Sequence, residues 1–224
     1  MWVVITTLHM SNKPDKIYFG QIAFKFQVSQ GLVDRINAKC ETLDDKTNAQ
    51  DYLVGKIKNE YHFLDYISEV DTDLEIKNSI FHVVDYCPQD FSYEIEEVDV
   101  HSAWINDQYE HEYQGVHTHS GKEDLGFSSI LYLKVPDFGK EITDTAKALN
   151  GKTELIGNCG GIWSSPTYLI TPKVGDFYIF PYDMQHLVYP FTGNGMRRSL
   201  VINVDITRTK KFKMKEGKRD GYGK

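Results

Sequence analysis

The stretch Arg197-Arg198-Ser199-Leu200-Val201-Ile202-Asn203-Val204-Asp205-Ile206 reads as a β-strand whose two faces differ in chemistry. Successive side chains of a strand point to opposite sides. Arg198, Leu200, Ile202, Val204 and Ile206 therefore share one face, and Arg197, Ser199, Val201, Asn203 and Asp205 share the other. The apolar face calls for a covering layer of helices. The mixed face then turns inward and carries an arginine and a hydroxyl into the interior of a barrel. A buried guanidinium without an anionic partner is very costly. Two partners are open for Arg197: an internal Asp or Glu, or the far carboxylate of a bound dicarboxylate, gripped together with Ser199.

Working outward, the first third of the chain supplies the helices. Ser29 stands as an N-cap before the stripe Leu32, Val33, Ile36 and Cys40. A second helix is expected over Ala49 to Phe63, with Tyr52, Leu53, Ile57 and Tyr61 on one side. A third is expected over Thr72 to Asp85, with Ile76, Ile80, Phe81 and Val84 at helical spacing and Pro88 ending it. Ile17 to Val28 reads as a strand or hairpin. After Tyr93 strands dominate. Val98, Val100, Ser102 and Trp104 alternate with Asp99, His101, Ala103 and Ile105, and Phe127 to Val135 is a second strand. Asp137 to Asn150 is a polar loop. Strands resume near Ile162, at Tyr168 to Ile170, at Phe177 to Phe180 and at Leu187 to Tyr189, and the turn Thr192-Gly193-Asn194-Gly195 leads into the last one. The expectation is a single α+β, mainly β domain over residues 1–206. Its helical and strand support spans about 1–92, its β-sandwich or barrel core about 93–206, and a basic tail covers 207–224.

The bulk numbers agree with one globular domain: 224 residues, 41% hydrophobic and 25% charged. The net charge of −7 is unevenly placed. Eight Lys/Arg against two acidic residues from Thr207 onward leave −13 on the preceding residues, which argues against a broad nucleic-acid surface. Cys40, Cys87 and Cys159 are widely spaced and odd in number, which fits a reducing, cytoplasmic setting without a disulfide framework. No apolar run approaches the roughly 20 residues of a membrane span, and Met1 to Thr7 lacks the basic start of a signal peptide.

A second motif gives the inward face a companion. In Val116-His117-Thr118-His119-Ser120-Gly121, two histidines at i and i+2 would lie on one face of a strand and reach one ion. His186, after the Pro181-Tyr182-Asp183 turn, is the best third ligand. Three protein ligands leave coordination positions open, as a catalytic metal site requires. Glu123 or Asp124 could instead supply a carboxylate. His62, His82, His101 and His111 read as structural or surface residues.

With these motifs in order, residues Val98 to Ile206 resemble the phage and bacterial 2-oxoglutarate–Fe(II) oxygenases related to prolyl 4-hydroxylases. The resemblance is carried by Ala103-Trp104-Ile105-Asn106, His117-Thr118-His119-Ser120-Gly121, Phe127-Ser128-Ser129-Ile130-Leu131-Tyr132-Leu133, Gly175-Asp176-Phe177 through His186, and Arg197-Arg198-Ser199. It implies a double-stranded β-helix, the cupin-like jelly roll. It also implies Fe(II), 2-oxoglutarate and dioxygen as cofactor and cosubstrates, and hydroxylation of a substrate for which a peptidyl proline is the first candidate. A nucleobase or a small metabolite stays open. His117 and His186 look like the metal histidines, Tyr132 like the strand tyrosine beside 2-oxoglutarate, and Arg197 with Ser199 like the clamp on its far carboxylate. His119 stands where most such enzymes carry Asp or Glu, and a third neutral ligand would leave the iron more positive. Two other classes stay in view: a cupin-like metalloenzyme that does not use 2-oxoglutarate, and a non-catalytic jelly-roll binding module.

Overall fold

A computed structural model describes residues 20–43, 55–86, 93–123, 125–139, 148–158, 160–161 and 165–210 of the chain. The last strand, here β11 (Arg197–Lys210), is the spine of the larger sheet. It lies antiparallel between β4 (Tyr93–Gln108) and β6 (Gly126–Lys134). β9 (Asp176–Pro181) and β1 (Phe24–Gln27) extend the sheet beyond β6, and β3 (Asn59–His62) closes the other edge. A second sheet runs in the order β2 (Gly55–Lys56), β5 (Tyr113–His117), β10 (Gln185–Val188), β7 (Thr153–Ile156) and β8 (Thr167–Ile170). Ile130 and Tyr132 on β6, with Tyr178 and Phe180 on β9, pack against Leu155 on β7 and Ile170 on β8, so the two sheets face each other. This is the expected jelly roll.

The other face of the larger sheet carries the helices. Leu200, Ile202, Val204 and Ile206 are buried in one cluster with Leu32, Val33 and Ile36 of α1 (Gln30–Cys40) and Ile76, Ile80, Val83 and Val84 of α3 (Glu75–Tyr86). Each such side chain contributes about 1.5–3 kcal/mol of burial. α1 begins where its cap dictates: the Ser29 hydroxyl accepts from the Leu32 amide at 3.2 Å. A short helix, α2 (Ile67–Val70), lies between them in sequence. In α3 the buried stripe is Ile76, Ile80, Val83 and Val84; Phe81, expected on it, is 43% exposed because it projects one residue off that stripe.

Several expectations are corrected. The helix over 49–63 is not formed where the chain is described. Residues 55–56 and 59–62 are strands, and 49–54 lie outside the described residues, as do Pro88, Ile162, Cys87 and Cys159. The Ile57 and Tyr61 spacing suits a helix, yet pairing of β3 along the open edge of β4 prevails. β7 was not expected at all, although Thr153 and Leu155 alternate as buried residues with half-exposed neighbours. β4 changes phase within its length. Asn203 pairs with Ser102 but Val204 with Val100, so His101 is an extra, bulged residue. Upstream of it Val98 and Val100 face the helices; downstream Ala103 and Ile105 do, and Ser102 and Trp104 turn inward. β11 continues through Lys210, so the basic segment begins inside the sheet, and 211–224 lie outside the described residues. No helix among the described residues is long and apolar enough to cross a membrane.

Candidate metal centre

His186 of β10 sits directly opposite His117 of β5 in the antiparallel register, with ring centroids 4.2 Å apart. His119 reaches them differently from the expectation. β5 ends at His117, and the chain leaves the strand at Thr118. The His119 amide then donates to the Tyr182 carbonyl at 3.0 Å, which folds the His119 ring onto that of His186 at a centroid distance of 4.9 Å.

Backbone acceptors orient two of the rings. His117 Nδ1 lies 2.7 Å from the Gly115 carbonyl, and His186 Nδ1 lies 3.1 Å from the Met184 carbonyl. A carbonyl only accepts, so each Nδ1 carries the proton and each Nε2 is left with its lone pair. His119 Nε2 is 3.2 Å from His186 Nε2, close to the roughly 3 Å expected of two nitrogens each about 2.1 Å from a shared ion. His119 Nδ1 lies 3.5 Å from the Asn203 side-chain amide, whose Oδ1 has no partner. Turning that amide over would place Oδ1 against an Nδ1–H, the outer-shell contact a metal-bound imidazole uses.

Burial holds these rings neutral. It lowers the pKa of His117. It takes His186 to about 4 and His119 to about 2, the His186, His117 and His101 rings adding repulsion at His119. Three neutral, converging imidazoles fit a transition-metal ion. Their ligand atoms lie within 4.8 Å of one another and form the one group of three or more possible ligands among the described residues. Glu123 is exposed, and Asp124 lies outside the described residues.

The three histidines also line a small interior cavity of about 20 Å³, room for roughly one water. Trp104, Asn106, Ser128, Thr153 and Phe180 line it. Further along the same face lie the residues expected to form the clamp. Arg197 is 2% exposed; its Nη1 donates to the Gly151 carbonyl at 3.2 Å and its Nε has no partner. Its guanidinium carbon lies 5.4 Å from the Tyr132 ring centre. Tyr132 is fully buried and donates its hydroxyl proton to Thr153 Oγ1 at 2.9 Å. Ser199, 1% exposed, pairs with Tyr132 across the strands. The adjacent Arg198 is satisfied: Nε and Nη2 each lie 2.7 Å from an Asp107 carboxylate oxygen, and Nη1 reaches Glu41 at 2.9 Å. Ser128 Oγ, Asn106 Oδ1 and Trp104 Nε1 are likewise buried without partners among the described residues. A buried cation without a carboxylate partner among the described residues, on the same inner face as polar atoms left without hydrogen bonds, is chemistry that suits a dicarboxylate.

His117 and His119 also line a larger cavity of about 590 Å³. Glu60, His62 and His101 line it, and none of them was singled out as a site residue. Their signal was hidden by the expected helix over residues 49–63 and by the unexpected bulge at His101.

Residues 102–203 match the family model described as "Putative 2OG-Fe(II) oxygenase". No curated protein matches the chain in sequence. Among solved structures, the chain is similar to a Pseudomonas putida prolyl-4-hydroxylase, with a TM-score of 0.55 and 14% identity over 81% of this chain and 91% of that one. The 2-oxoglutarate complex of the viral collagen prolyl hydroxylase from Paramecium Bursaria Chlorella virus-1 gives 0.52 and 14%, over 81% and 94%. HygX from Streptomyces hygroscopicus, with nickel and 2-oxoglutarate bound, gives 0.54 and 11%, over 81% and 82%. At these identities the structures speak for the fold, and the family model speaks for its core. The match is confined to residues 102–203, and over this segment the chain is similar to the 2-oxoglutarate–Fe(II) oxygenases.

Proposed function

We propose that His117, His119 and His186 hold the Fe(II) of this oxygenase as three neutral imidazoles, and that Arg197 and Ser199, beside Tyr132, hold the far carboxylate of 2-oxoglutarate. The observation that carries this reading is Arg197, a buried cation with no carboxylate partner on the same inner face as the histidine cluster. Iron and 2-oxoglutarate, when bound, would supply with dioxygen the oxidising chemistry that converts a substrate C–H bond to C–OH, with succinate and carbon dioxide as the coproducts. The chain's part is to present three Nε2 lone pairs, to keep the interior dry and to hold the cosubstrate in register with the cavity. At about 20 Å³ the small cavity at the histidines is smaller than the cosubstrate, so binding requires lining side chains such as Thr153 and Trp104 to move apart.

We further infer a single oxygenase domain in which the N-terminal helices are the outer layer, because one hydrophobic cluster joins them to β4, β6 and β11. The substrate occupies the 590 Å³ cavity lined by His117 and His119. Structures of similar fold include prolyl hydroxylases and HygX with hygromycin B bound, so fold alone does not choose between a peptidyl proline and a small molecule.

The deciding assay is succinate formation in the presence and absence of Fe(II) and 2-oxoglutarate, with 2-oxoglutarate affinity measured separately. Succinate should require both, and Arg197→Met should weaken 2-oxoglutarate binding roughly tenfold or more. An unchanged affinity in that variant would sink the clamp. Metal bound by the histidines without any effect of 2-oxoglutarate would favour the cupin-like alternative.

A further inference from the structure

Glu60 is the one acidic residue among the described residues that lines the large cavity, and its position follows from β3 being a strand. Glu60 and His62 share the cavity face of β3, while Tyr61 packs on the helix-side core. Glu60 is 3% exposed, and its carboxyl has no hydrogen-bond or ion partner among the described residues. Among the described residues no lysine or arginine lines the cavity. Arg198, the nearby candidate on the outer face, is occupied by Asp107 and Glu41. A carboxyl buried at a cavity wall without a counter-charge is a cost to the fold that a ligand of the right charge can remove.

The rest of the wall suits the same ligand. Trp104, on β4 across from His62, also lines the cavity, and an indole is the best aromatic partner for a cation. The cavity volume of about 590 Å³ admits a small molecule or one extended side chain. We propose that Glu60 anchors a positively charged group of the substrate, a protonated amine or guanidinium, in the cavity beside the three histidines. The assignment of that cavity to substrate rests on the oxygenase reading above. Burial holds the free carboxyl pKa up at about 8, so an arriving cation would release its proton to solvent and leave an ion pair.

The test is calorimetric titration of the full chain with four probes, both with and without Ni(II) and 2-oxoglutarate. N-acetyl-lysine methylamide and n-butylamine are the cations; N-acetyl-norleucine methylamide and n-butanol are their uncharged counterparts. In the native chain each cation should bind roughly ten- to a hundredfold more tightly than its counterpart, and Glu60→Gln should abolish the preference. Equal binding of charged and uncharged probes to the native chain overturns the proposal without recourse to any variant. So does a preference that persists in Glu60→Gln. Tighter binding of the blocked lysine supports a basic residue of a peptide, and tighter binding of butylamine supports a free amine. If the cation preference is present but Ni(II) and 2-oxoglutarate do not bind, the oxygenase assignment fails while the cation site stands; the reverse result removes only the cation site.

Discussion

Two neighbouring arginines show how one strand separates structure from function. Arg198 points to the helix side and is saturated by Asp107, which is itself 3% exposed. Arg198→Met would leave that carboxylate buried and unpaired, a loss of about 3–5 kcal/mol in unfolding free energy. Arg197→Met removes a buried charge that has no carboxylate partner, and should leave stability unchanged or raised. Urea unfolding of the two variants checks the contrast, and a large destabilisation by Arg197→Met would mean that an undetected internal partner exists. Glu60 gives a second, pH-dependent expectation. Its carboxyl is raised from the ordinary 4.5 to about 8 by burial. Below pH 4.5 folded and unfolded chains are both protonated there, so no penalty applies. As pH rises from 4.5 towards 8 the unfolded chain ionises first, and the native state loses stability. Glu60→Gln should therefore unfold like the native chain near pH 4.5 and be more stable than it at pH 8, by an amount on the order of a few kcal/mol. A gap that did not change with pH would show that Glu60 ionises normally.

At the scale of elements, the segment after β5 is the least regular part of the metal centre and is tied down from a distance. The buried Asp205 carboxylate accepts from the Lys122 amide and from the Tyr182 hydroxyl, both at 3.0 Å. A side chain at Gly121 would collide with that carboxylate, so the loop can approach β11 this closely only with glycine there. Asp205→Ala should release the loop that carries His119 and lower metal affinity, while Arg197 and Ser199, proposed above as the clamp on 2-oxoglutarate, keep their places at the far end of β11. Metal titration of the variant, alongside the native chain, measures this, and an unchanged metal affinity would show that the loop holds His119 unaided. The same region marks what a reader of the sequence can and cannot see. The alternation in 197–206 is legible because each face of β11 meets a different environment. The facing of His117 and His186 is not, since it depends on a register between strands far apart in the chain. The phase change at His101 escapes a period-two reading, because a bulge adds one residue without any change in composition. Glu60 escapes for a related reason: Ile57 and Tyr61 fit a helical stripe, and only the open edge of β4 makes the segment a strand.

For the whole molecule, the question is whether the helices are a separate support or part of the oxygenase body. One cluster contains Leu32 and Ile36 of α1, Ile76 and Ile80 of α3, Ile105 of β4, Leu131 of β6 and Leu200 of β11. The same β11 presents Arg197 and Asn203 on its inner face. Damage on the helix side must therefore reach the metal centre through a strand that both layers share. Leu32 is fully buried, so Leu32→Ala should cost about 2–5 kcal/mol through lost burial and the cavity left behind. At roughly 2–4 °C per kcal/mol for a chain of this size, the melting temperature falls by several degrees or more. The fall should appear in one transition, followed alike by far-ultraviolet circular dichroism and by loss of bound metal. Two separated transitions, with metal retained through the first, would instead make the helices an independently melting layer and the jelly roll self-sufficient.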